Sequence, residues 1–82
     1  MDVMHSMAVF RRVVEAENFS AVARETNMSQ STVSKHIASL EERLGTKLLN
    51  RSTRSITLTE AGKEYYHHCI RILNDFQEAE AS

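Results

Sequence analysis

The chain has 82 residues, 41% of them hydrophobic, one cysteine, and a formal net charge of −1. That length holds one small domain burying roughly 60–65% of its unfolded surface; no apolar run approaches the ~20 residues of a membrane helix. The acid at Asp2 and the spaced apolar residues of MDVMHSMAVF do not read as a signal peptide, and a single cysteine, Cys69, excludes an internal disulfide and fits a reducing, cytoplasmic compartment.

The absence of proline and the presence of only two glycines predict a mostly helical chain with few loops. Charge is unevenly placed: residues 1–28 carry a net −1, residues 29–63 a net +3 and residues 64–82 a net −3. The centre is therefore basic although the sum is not.

In chain order, Val3, Met7, Phe10 and Val14 lie on one face of an amphipathic helix over residues 2–17, with Met4 and Val13 widening the stripe. Asn18 ends it. Phe19 then reads as a staple residue and Ser20 as the N-cap of a second helix over 20–26, of which only Val22 and Ala23 face inward. Asn27-Met28-Ser29 is the turn, since asparagine tolerates a left-handed backbone. Ser29 caps a third helix whose core stripe is Val33, Ile37, Leu40 and Leu44, and Gly45 stops it. The opposite side presents Ser31, Lys35, Ala38 and Glu42, flanked by Ser34, with Gln30 and Ser31 leading at the N-terminus. This side holds no acid until its last turn.

Residues 47–58, KLLNRSTRSITL, shift toward period two, Ile56 and Leu58 alternating with Ser55 and Thr57. The pattern predicts a small hairpin whose tip carries Arg51 and Arg54. Thr59 caps a last helix over about 60–81, and Glu60 favours its positive end. That helix would be roughly 33 Å long at 1.5 Å per residue. Tyr66, Ile70 and Leu73, with Cys69, Ile72 and Phe76 one turn around, give it an apolar stripe too broad for a small monomer to cover. The expectation is a dimer seam.

A helix–turn–helix followed by a hairpin suits duplex DNA. One face of the third helix packs on the domain while the other offers short polar side chains to base edges. Gln30 can pair bidentately with adenine, Lys35 can reach guanine acceptors or a phosphate, and Ser31 and Ser34 donate or accept. Paired arginines on a wing suit a narrow minor groove or the flanking backbone. The histidines His5, His36, His67 and His68 do not have metal-ligand spacing, since adjacent residues diverge by about 100° on a helix; no metal site is expected. His36 is expected to border the DNA face, and Cys69 to be a buried small apolar residue. No nucleophile–base pair, glycine-rich phosphate loop or carboxylate dyad points to an enzyme.

The residues FSAVARETNMSQSTVSKHIASLEERLGTKLLNRSTRSITLTEAG at 19–62, preceded by Phe10, resemble the N-terminal DNA-binding segment of LysR-type transcriptional regulators. The family pattern is roughly a Phe in helix one, S-F-[ST]-x-A-A, S-Q-[PS]-[AT]-[VL]-S-x-x-I-x-x-L-E-x-x-L-G-x-x-L-[FL]-x-R and L-T-x-A-G, and the match covers essentially the whole chain. Ser31 stands where many members have proline, Lys35 where many have arginine, and Val22 where alanine is common. Lysine lacks the planar fork of arginine.

The resemblance implies a mainly α fold: a winged helix–turn–helix over residues 1–59, with a three-helix core and a small β-hairpin wing, then a linker and dimerisation helix over 60–82. It implies a C-terminal effector domain outside these residues; a small-molecule inducer is expected only there, and no cofactor in this chain. The expected partner is double-stranded DNA bearing an interrupted inverted repeat, met by a homodimer, with higher oligomers in the full-length protein. The DNA-binding set is Ser29, Gln30, Ser31, Thr32, Ser34, Lys35, Arg51, Thr53 and Arg54. The dimerisation set is Tyr66, Cys69, Ile70, Leu73 and Phe76. The alternative is a dimerising winged helix that engages proteins without specific DNA binding.

Overall fold

A computed structural model describes residues 2–52 and 55–81. Its elements run α1 (Val3–Ala16), α2 (Phe19–Thr26), α3 (Gln30–Leu44), β1 (Leu49–Arg51), β2 (Ile56–Leu58) and α4 (Glu60–Ala81). This is the predicted winged helix–turn–helix with a long following helix. Among the described residues no helix is long and apolar enough to cross a membrane.

The helix ends follow from local chemistry. Asp2 caps α1 by accepting from the Met4 amide at 3.1 Å. Glu17, at φ 54°, closes it in the left-handed region, and its N–H donates to the Val13 carbonyl at 2.9 Å. Asn18 is therefore the N-cap of α2 rather than the tail of α1: its side chain accepts from the Ala21 amide at 2.9 Å. Ser20, the expected cap, lies inside the helix. Asn27 takes the left-handed position (φ 57°) and Ser29 accepts from the Thr32 amide at 3.1 Å, as the sequence predicted. Gly45, at φ 70°, ends α3.

The core gathers Met7, Val9, Phe10 and Val13 of α1, Val22 and Ala23 of α2, Val33, Ile37 and Leu40 of α3, Leu48, Leu49 and Cys69. Each large aliphatic or aromatic side chain buried this fully favours folding by about 1.5–3 kcal/mol. Leu44 departs from the expected stripe. It is 42% exposed at the end of α3, where it borders an open groove shared with Ala61, Glu64 and Tyr65 of α4.

β1 and β2 form an antiparallel pair with Leu49 opposite Leu58, Asn50 opposite Thr57 and Arg51 opposite Ile56. The Ser52 amide donates to the Ser55 carbonyl at 2.9 Å and closes the hairpin. Thr59 joins wing to linker: its hydroxyl donates to the Lys47 carbonyl at 2.7 Å and accepts from the Gly62 amide at 2.9 Å. The first half of α4 packs on α1, whereas residues 74–81 are exposed throughout.

Candidate nucleic-acid interface

The outer face of α3 is built as the sequence suggested. Gln30, Ser31 and Lys35 are exposed and Ser34 is half-buried, while Val33, Ile37 and Leu40 seat the helix in the core. Among the described residues Lys35 has neither a hydrogen bond nor an ion pair, so its ammonium is available to a ligand. Gln30 is held at the helix start, its Nε2 donating to Ser20 Oγ at 2.8 Å. That bond ties α3 to α2 and leaves the amide oxygen of Gln30 as an acceptor. Ser29 Oγ lies 3.1 Å from Ser31 Oγ and 2.9 Å from Thr32 Oγ1. Three hydroxyls thus crowd the positive end of the α3 dipole, where amides and hydroxyls favour a phosphate.

The wing stands beside this face. Arg51, at the end of β1, does not point off the tip: its Nη1 donates to Ser34 Oγ at 3.1 Å and its Cζ lies 4.4 Å from the centroid of the Phe19 ring. Thr53 and Arg54 fall outside the described residues.

His36 corrects the sequence expectation. It lies on the inner side of α3, 6% exposed, with Nδ1 2.8 Å from Ser6 Oγ of α1 and its ring edge-on to His5 at a centroid distance of 5.0 Å. Burial first, then electrostatic repulsion with His5, holds its pKa below the ordinary 6.5. The His36–Ser6 pair is one of the ties between α1 and α3.

Glu42 is exposed in the last turn of α3, and three other acids around the motif are engaged elsewhere. Glu41 turns inward, its Oε2 accepting from the Leu48 amide at 2.9 Å and the Leu49 amide at 3.3 Å. Glu25 pairs with Arg12 at 2.6 Å and Glu15 with Arg12 at 2.8 Å and Arg11 at 3.1 Å. Burial alone would raise the Glu15 pKa, but hydrogen bonds from Tyr66, Arg12 and Arg11 bring it below the ordinary carboxylate value.

On α4, the expected seam residues divide. Cys69 is fully buried in its own domain and so is removed from the dimerisation set. It packs inward because it shares the α4 face that carries Gly62 and meets the core. Tyr66 and Leu73 pack partly against that core, and Tyr66 Oη donates to Glu15 Oε2 at 2.9 Å. Ile70 is half-buried, whereas Ile72 and Phe76 are 41% and 53% exposed. Among the described residues no three His, Cys, Asp or Glu side chains cluster as metal ligands.

Known proteins agree with this geometry. Residues 4–63 match the family described as "Bacterial regulatory helix-turn-helix protein, lysR family". The chain is 50% identical over 78 residues to the HTH-type transcriptional activator AaeR of Escherichia coli (strain K12), covering 95% of this chain and 25% of that protein. It is 45% identical over 74 residues to the HTH-type transcriptional regulator CrgA of Neisseria meningitidis serogroup C, covering 90% and 25%. The chain thus spans about a quarter of the length of these curated relatives. The crystal structure of the BenM DNA-binding domain with catB site 1 DNA superimposes with a TM-score of 0.91 at 30% identity, over 99% of this chain and 89% of that one. Full-length CbnR complexed with its target DNA gives 0.89 at 33% identity, over 99% and 28%. With the helix–turn–helix, its caps and its wing already accounted for, these matches identify the chain as a member of the lysR family of bacterial regulatory helix-turn-helix proteins.

Proposed function

We propose that this chain is the sequence-specific, double-stranded-DNA-binding part of a dimeric bacterial transcription regulator. The observation that carries this is the outer face of α3: Gln30, Ser31, Ser34 and Lys35 lie together, acid-free, on a helix seated in the core by Val33, Ile37 and Leu40. BenM and CbnR, similar over nearly the whole chain, have been solved with DNA.

In this proposal α3 enters the major groove, where Gln30, Ser31, Ser34 and Lys35 meet base edges. Ser29 and Thr32 receive a phosphate at the helix N-terminus, and the wing, with Thr53 and Arg54, approaches the flanking minor groove. Two copies joined along α4 through Tyr66, Ile70, Leu73 and Phe76 would present two recognition helices to an interrupted inverted repeat. The exposed Phe76 and Ile72 give the second copy apolar surface to cover. An effector domain, its small-molecule inducer and any higher oligomer are proposed for a protein of the relatives' full length, of which this chain spans about a quarter; the proposed compartment is the cytoplasm.

The test is selection of duplexes from a random pool by the purified chain at near-physiological salt. Enrichment of an inverted repeat is the expected result. Uniform, salt-sensitive retention with no enriched sequence would overturn specific binding by this chain. Charge reversal at Lys35 and Arg54 should abolish retention; an activity that survives it would favour the protein-interaction alternative.

A further inference from the structure

We propose that Arg51 is a positioning residue that sets Ser34 as a hydrogen-bond donor toward the bases, so that the base facing Ser34 is chosen for an acceptor. This rests on the DNA-binding role proposed above.

The chemistry follows from two contacts. A guanidinium has five N–H donors and no acceptor, so the 3.1 Å contact between Arg51 Nη1 and Ser34 Oγ has one direction: Arg51 donates and Ser34 accepts. A serine hydroxyl alone offers one proton and two lone pairs and reads donors and acceptors alike. Once a cation occupies one lone pair, the oxygen is a poorer acceptor and its O–H a stronger donor. Among the described residues the Ser34 hydroxyl has Arg51 as its hydrogen-bond partner, which leaves its proton for a ligand.

The guanidinium is held in place by a second element. Its carbon stands 4.4 Å over the centroid of Phe19, the first residue of α2, and Phe19 packs partly against the core. An arginine over an aromatic face is attracted by the ring quadrupole and is kept from swinging outward. Arg51 therefore joins the wing, α2 and α3 at one point. Ser34 sits one turn from Gln30 and next to Lys35, among the proposed base-reading residues. In the major groove a donor at this place pairs with N7 or O6 of guanine, N7 of adenine or O4 of thymine, and not with the N4 amino group of cytosine. An arginine acting instead on a phosphate would add affinity without base choice and would contribute about one unit to the salt slope.

The experiment is selection from a random duplex pool with the 82-residue chain and its variants Ser34→Ala, Arg51→Met, Arg51→Lys and the double variant Ser34→Ala/Arg51→Met. Each protein's salt dependence is measured on the duplex that the unsubstituted chain enriches most. The unsubstituted chain comes first: if it enriches nothing, the DNA-binding role fails and takes this proposal with it. If it enriches a repeat, Ser34→Ala and Arg51→Met should lose discrimination at the same base pair of each half-site, by roughly five- to tenfold, as for one neutral hydrogen bond. The double variant should lose no more, and the salt slope should hold. Arg51→Lys keeps the charge but loses the fork, and should retain part of the preference; it keeps the test open should Arg51→Met unfold. A salt slope reduced by about one with the base profile intact would make Arg51 a phosphate contact and overturn the proposal. So would losses at different base pairs that add in the double variant.

Discussion

Replacing Gly62 with alanine tests how the wing is seated on α4. A Cβ at Gly62 would stand 2.0 Å from the Leu48 carbonyl oxygen, 3.0 Å from its carbon and 3.1 Å from Leu58 Cδ2. Ordinary carbon–oxygen approach in packed backbone is about 3.3–3.6 Å, so the chain entering β1 must retreat from α4 by more than about 1 Å. The obstacle is not a flexible side-chain end: the Leu48 carbonyl accepts from the Thr59 amide at 3.0 Å, and Leu48 is fully buried. Overpacking of this kind costs about 1–3 kcal/mol, and a weakened Thr59–Leu48 bond about 1 kcal/mol more. Alanine's helix propensity returns about 1 kcal/mol. The net loss is about 1–3 kcal/mol, or about 5–20 °C in Tm for a domain of this size. Thermal unfolding measures it, and the amide resonances of residues 48–51 and 58–59 should move. Gly45→Ala is the control: its Cβ meets nothing within 4 Å, but φ +70° penalises any side chain. It should lose about 1–2 kcal/mol without displacing wing resonances. A Gly62→Ala protein that melts at or above the original temperature, with unmoved wing resonances, would refute the close approach of α4 to β1.

Three further outcomes are expected. Because burial above all depresses the His36 pKa below 6.5, the unfolded chain takes up its proton first as pH falls. The stability from neutral His36 is thus complete above about 6.5 and lost as pH drops below it; urea midpoints should fall between about pH 7.5 and about pH 5.5, and His36→Gln should flatten that slope, an equal slope in both proteins counting against the assignment. Glu41→Ala leaves the Leu48 and Leu49 amides without their carboxylate and should cost about 2 kcal/mol in urea unfolding; a change within about 0.5 kcal/mol would make the contact a surface one. Burial pushes the Cys69 thiol up to about 11, and since the thiolate is the reactive form, a thiol reagent at neutral pH should modify the native protein only as fast as it unfolds; prompt native modification would contradict the burial.

Most of the fold was legible because its signals are local. The Asn27–Ser29 turn, the Gly45 stop, the Thr59 cap and the Val33–Ile37–Leu40 stripe each need only neighbours in sequence, and each is present in the structure. The errors came where the deciding partner is distant. His36 is expected at the DNA face from its helix alone; Ser6, thirty residues earlier, is what lets it lie inside. Nothing local to Glu41 announces its role, since the amides that engage it are seven and eight residues on. Cys69 shares a stripe with Phe76, but α4 leaves the core between them, so one is covered and the other is not. Asn18 and Ser20 are both good caps, and Glu17 in the left-handed region decided between them by ending α1 one residue earlier. Arg51 was legible as a wing arginine but not as a partner of Phe19 and Ser34.

The net charge of −1 argues against nucleic acid only if charge is spread evenly, and the structure shows how it is not. Glu15 and Glu25 are tied to Arg11 and Arg12 on α1 and α2, away from the outer face of α3. Glu41 is spent on backbone amides beside the wing. Asp75, Glu78 and Glu80 lie on the exposed end of α4, past the residues that meet the core. At physiological ionic strength an exposed charge is largely screened beyond about 8 Å, so a phosphate at the start of α3 meets Lys35, the Ser29 cluster and the helix dipole before it meets those acids. Neutralising an acid on distal α4 should therefore change affinity for DNA little, while neutralising Lys35 should weaken it even though the overall charge changes by the same single unit. The placement of charge, rather than its total, makes a nearly neutral chain fit a polyanion.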